Sequence, residues 1–150
     1  TRCYDKLIEL EPENHTWYYQ CGKMLRDYTD AYKEAEKYYL KILEIDNKLH
    51  MMNGSYGYLL YLMGDHEKAL EYVDIELNAL DGNSYEWVHF YDVLVNTAMG
   101  NDDRVEIALK TAVGLVTDKE KEEVLSFLEK MEQKDESDND CYARFRALLQ

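Results

Sequence analysis

Tyr4-Asp5-Lys6-Leu7-Ile8-Glu9-Leu10-Glu11-Pro12 recurs 35 residues later as Tyr39-Leu40-Lys41-Ile42-Leu43-Glu44-Ile45-Asp46-Asn47, with the same residue or residue type at seven of nine positions. Repetition at this period, in sequence rich in helix formers, is the pattern of a solenoid of helix pairs. Tyr4, Leu7, Ile8 and Leu10 fall at helical spacing, so the first copy reads as one amphipathic helix closed by Pro12.

Composition agrees. A chain of 150 residues, 46% hydrophobic and 32% charged, can bury one continuous core. With one Pro and 7 Gly it lacks the turn formers that many short strands require, and its Leu, Glu, Lys, Ala and Met favour an all-α class. The 31 acidic against 17 basic residues give a formal charge of −14, which repels phosphate backbones and anionic lipid. Neither nucleic acid nor membrane is expected as a partner; a basic or neutral peptide or protein is. Such acidity is also an ordinary way for a soluble protein to avoid association. Cys3, Cys21 and Cys141 are odd in number and far apart, so no disulfide framework or zinc site is indicated, and a reducing, cytoplasmic setting fits. The most apolar stretch, 49–63, is interrupted by Asn53, Gly54 and Gly57 and is too short to span a bilayer.

Along the chain the spacing predicts helix after short turn. Trp17, Tyr18, Cys21, Met24, Leu25 and Tyr28 mark a second helix, and Tyr32, Ala35, Tyr39, Ile42 and Leu43 a third. A fourth spans about 49–63, broken by Gly64-Asp65, and a fifth runs from about His66 to Leu80. Asp81-Gly82-Asn83 is a turn before a sixth helix, about 85–99, and Gly100-Asn101-Asp102 separates that from a seventh reaching about Val116. Thr117 and Glu120 form a capping-box pattern ahead of an eighth helix to about Glu132. Residues 134–140 read as an acidic linker, and 141–149 as a short terminal helix or frayed end.

At this point the chain resembles the tetratricopeptide repeat family. Gly57, Leu60, Gly64-Asp65-His66-Glu67-Lys68-Ala69-Leu70 and Tyr72 match the family's turn and second-helix start. The unit before aligns through Tyr18, Gly22, Leu25, Ala35 and Tyr39, and the unit after through Trp87, Phe90, Leu94 and Ala112, where Tyr91 and Val105 replace small residues. The resemblance implies an α-solenoid with repeats at 15–49, 50–83 and 84–117. It makes 1–14 a partial repeat lacking its first helix, 118–133 a capping helix, and 134–150 an acidic linker with a short terminal helix outside the repeat domain. The chain is therefore expected to be a piece cut from something longer, with an apolar flank that favours self-association.

The resemblance also implies a concave groove lined by the first helix of each pair. Carried over by alignment, the groove face comprises Thr16, Tyr19, Lys23 and Arg26, then Met51, Ser55, Tyr58 and Leu62, then Tyr85, His89, Asp92 and Asn96. Tyr and Met at such positions suit peptide recognition, and equally suit shielding of the solenoid interior. One subgroup of the family grips a partner's terminal carboxylates with Lys, Asn and Arg from three successive repeats. Here only Lys23 and Arg26 match, so such tails are not expected as ligands.

No catalytic constellation stands out. Glu86-Trp87-Val88-His89 has the Glu-x-x-His spacing of di-iron bundles, but it occurs once and reads as helix surface. His15, His50 and His66 have no nucleophile beside them, Glu122-Glu123 is a solvated face, and the acceptor patterns at Asn14 and Asn53 are short enough to arise by chance. The expected function is a non-catalytic scaffold or adaptor, without cofactor or metal. The alternative is a regulatory or substrate-positioning arm of a larger enzyme or sensor.

Overall fold

The computed structural model describes all residues except 1, 50, 80–85 and 135–139. Among the described residues there are nine helices and no strands: α1 (Arg2–Leu10), α2 (His15–Tyr28), α3 (Tyr32–Ile45), α4 (Met52–Leu62), α5 (His66–Ala79), α6 (Glu86–Met99), α7 (Asp102–Leu115), α8 (Lys121–Lys134) and α9 (Cys141–Leu149). None is long and apolar enough to cross a membrane. The closest packing runs within α2/α3, α4/α5 and α6/α7, and successive pairs meet through α3 on α4 and through α6 on both α4 and α5. The fold is a helical-repeat solenoid, with α1 leaning on α2 at one end.

Short polar devices set the helix ends. Asn14 caps α2, its side chain accepting from the Thr16 amide at 3.1 Å, while the Tyr18 hydroxyl donates to the Pro12 carbonyl at 2.8 Å. Gly64 and Gly100 close α4 and α6 at φ of 85° and 75°, values a side chain rarely adopts. Thr117 and Glu120 do pair, but the carboxylate takes both the amide and the hydroxyl of Thr117, and α8 begins only at Lys121. One half of the capping box thus forms, the Glu120 carboxylate on the Thr117 amide, while the hydroxyl turns to the carboxylate.

Close approach within pairs depends on glycine at two places. A Cβ on Gly22 would lie 2.8 Å from the Tyr39 ring, and one on Gly57 would lie 2.9 Å from Val73 Cγ2 and 3.1 Å from the Ala69 carbonyl oxygen. Ala35, Ala69 and Ala112, in the second helices of the three pairs, are fully buried. Every residue of α4 from Met52 to Tyr61 is buried, because its sequence is apolar around most of its circumference and its neighbours enclose it.

The far end differs from the sequence expectation. Helix α9 packs on both α6 and α7, much as α6 packs on α4 and α5. Phe90 of α6 stacks on Phe145 at 4.7 Å and meets Tyr142 edge-on at 5.7 Å. Cys141, Tyr142, Phe145 and Leu149 belong to the same core as the repeats, as do Val124, Leu128 and Met131 of α8, so 141–149 joins the expected capping helix 118–133 in covering this end instead of lying outside the repeat domain. The acidic stretch between α8 and α9 falls largely outside the described residues.

Gly57→Ala should lower stability by about 1–2 kcal/mol, since backbone atoms of α5 block the added methyl and outweigh the gain in helix propensity. Gly114→Ala, in α7 with nothing near its added Cβ, should raise it by about 0.5–1 kcal/mol. Urea denaturation of the two variants checks both signs.

Candidate peptide-binding groove

The first helices α2, α4 and α6 carry the residues assigned to the groove, and the structure divides them. Lys23 is half-buried and lines a cleft; Tyr19 is half-buried, its ring 6.4 Å from that of Tyr39; Thr16 is exposed. Leu62 lines a shallow hollow with Tyr32 and Met63. Met51 is half-buried in the left-handed region at φ 71°, where its amide donates to Glu76. Tyr85 lies outside the described residues.

Arg26, Ser55, Tyr58, Asp92 and Asn96 are buried, which corrects their placement on an open face. Arg26 lies 5.1 Å from the centre of the Tyr58 ring, and Tyr58 stacks on Tyr91 with centroids 4.7 Å apart and planes 9° apart. A cation, a ring of the second pair and a ring of the third thus stand in series. The Arg26 guanidinium also donates to Asp27 at 2.7 Å. Asp92 accepts from Arg104 at 2.7 Å, and Arg104 also pairs with Asp74, so one guanidinium joins all three helices α5, α6 and α7. Burial pushes the Asp92 carboxyl above its usual range despite the opposing pull of Arg104. Asn96 donates to the Asp92 side chain at 2.7 Å and accepts from Asn101 at 2.9 Å. These groups are consumed by the scaffold.

Two features escaped the sequence reading. Glu76 of α5 is 3% exposed and accepts from the amides of Met51 at 2.9 Å and Gly54 at 3.3 Å, capping α4 from the neighbouring helix. The other is α8, which approaches the first-helix side. Its Phe127 meets Trp87 of α6 edge-on at 4.6 Å. Between α8 and α2 remains a cleft of about 660 Å³, with Lys23, Asp27 and Tyr28 on one wall, Phe127, Lys130 and Met131 on the other, and Tyr58 of α4 contributing. Phe127 and Met131 share a face with Val124 and Leu128, a periodicity visible in the sequence; its direction is not. The arrangement offers aromatic rings and two ammonium groups to a ligand.

His89 is half-buried with its Nε2 buried and unpartnered. Burial lowers its pKa below the ordinary value near 6.5, against the opposing effect of the Asp92 carboxylate. A histidine depressed by folding contributes stability present above its ordinary value and lost as pH falls through the lowered one. The wild-type chain should therefore lose stability on acidification across about pH 7 to 5, and His89→Gln should flatten that part of the profile, as read by chemical denaturation at stepped pH.

No protein-family model matches the chain. Over 90 residues, 60% of its length, it is 30% identical to the mitochondrial import receptor subunit TOM70 of rat and mouse, and equally to that of human. The aligned part spans about 15% of the length of these curated relatives.

Proposed function

We propose that the chain is a non-catalytic interaction module of the tetratricopeptide type, whose first-helix side binds a segment of another protein. The observation that carries this reading is the cleft between α2 and α8, where Tyr28 and Phe127 present aromatic surface beside Lys23 and Lys130, with Tyr58 and Met131 buried behind them. Aromatic anchors among polar groups are what recognition of a peptide segment uses. Gly57, Gly64 and Ala69, in the turn and close-approach positions described above, support the repeat type. The partial similarity to receptor subunits supports a receptor or adaptor role, with polypeptides of the kind an import receptor handles as first candidates. Cys21 and Cys141, both buried as thiols, fit a reducing, cytoplasmic setting.

The occupied polar groups change the expectation about charge. Although the chain carries −14 overall, Asp27 on the cleft wall is already paired with Arg26, and the remaining Asp30 faces two ammonium groups, Lys23 and Lys130, in the same lining. The cleft itself therefore favours a neutral segment over a strongly basic one.

Overlapping peptides tiling mitochondrial precursor proteins, immobilised as an array, give the probe. Tyr28 is 79% exposed, so Tyr28→Ala leaves the fold intact, and it should weaken the strongest peptide about tenfold, or about 1.4 kcal/mol. Leu148→Ala, exposed on α9 and outside the cleft lining, should leave binding unchanged. Equal effects of the two substitutions would place the site elsewhere.

A further inference from the structure

Helix α8 meets the rest of the molecule differently from the helices of the repeats. Helix α9 packs directly on α6 and α7, whereas the close packing of α8 is on α9. Helix α8 buries Val124, Leu128 and Met131 in the common core and sets Phe127 against Trp87, yet it leaves the cleft open between itself and α2. Its tie to α9 includes a Glu132–Arg146 pair, partly exposed on both sides, and on its N-terminal side it follows the short non-helical stretch 116–120.

We propose that α8 is a resident occupant of the groove and that the external partner is an amphipathic helix of the same chemistry, docking where α8 now lies. This rests on the reading of the first-helix side as the binding surface. The chemistry is legible in α8 itself: Phe127, Leu128 and Met131, with Val124 one turn earlier, form a single apolar stripe, and Lys130 stands beside it on the cleft wall. Residues so spaced lie on one face of a helix. Helix-in-groove recognition uses this i, i+3, i+4, i+7 anchoring. The unfilled cleft explains how an outsider can win. A partner whose stripe also reaches Tyr28 covers surface that α8 leaves uncovered, whereas the covalent attachment of α8 favours it through high effective concentration. The two effects oppose each other, so occupancy by α8 sets the threshold affinity a partner must exceed.

The test titrates a fluorescein-labelled synthetic peptide of residues 120–134 into the full chain. Phe127→Asp in the chain removes the resident's aromatic anchor but leaves the groove residues of α2, α4 and α6 unchanged, and it should bind the peptide at least tenfold more tightly than the wild-type chain does. Adding Trp87→Ala to that variant should abolish the gain. Glu132→Lys, which unties α8 from Arg146 at a partly exposed position, should give a smaller gain of about threefold; it decides the matter if circular dichroism shows that Phe127→Asp does not fold. Equal peptide affinity for the folded variants and the wild type would overturn the proposal. So would a wild-type chain that sediments as a dimer dissociated by Phe127→Asp, since α8 would then sit in a second copy. The peptide titration is independent of the precursor array. Release of α8 with no array peptide competing would sink the external-partner reading and leave resident occupancy standing, and array binding that ignores the α8 variants would do the reverse.

Discussion

Helix α4 cannot exist alone. Met52 to Tyr61 are buried without a break, so this helix has no face that water could cover, and it is stable only when α3, α5 and α6 enclose it together. From that constraint follow the close approach at Gly57, the buried alanines of the second helices, and the capping of its N-terminus by Glu76 from the next helix. The outer pairs are less demanding: α2 and α3 keep polar faces, and α7 leaves Ile107 in solvent. The middle pair is the keystone, and the pairs on either side exist in part to shield it.

The helices and their order were legible because they rest on local chemistry. Asn14, Gly64 and Gly100 occupy the boundary positions their side chains or backbones suit, and the Tyr4 and Tyr39 segments became α1 and the second half of α3. The groove was legible only in part. Alignment with a repeat pattern says which residues face away from the partner helix of the same pair, but it does not say which are covered by the next pair. Tyr58 and Arg26 sit on the groove side by register, and they bury each other because they come from adjacent pairs. Asp92 is removed from the surface by Arg104, twelve residues away on another helix, a pairing no periodicity encodes.

The C-terminal region shows the same limit from another side. The stripe of α8 was evident, and so was the need for something to cover α6 and α7; the sequence joined the two by proximity. The structure meets the need with both helices: α9 sets Tyr142 and Phe145 against the aromatic surface of Phe90, and α8 sinks Val124, Leu128 and Met131 into the same core.

The series Arg26, Tyr58, Tyr91 has a mechanical meaning. A stack of helix pairs flexes like a spring, by opening and closing the gaps between neighbours, and its softness resides at those gaps. Here one tyrosine is wedged between a cation from the preceding pair and a ring from the following one, with its neighbours at 5.1 and 4.7 Å. Straightening the rod would pull both contacts apart at once. The spacing of the three pairs is thereby pinned from inside, which makes the stack stiff across those gaps rather than pliable.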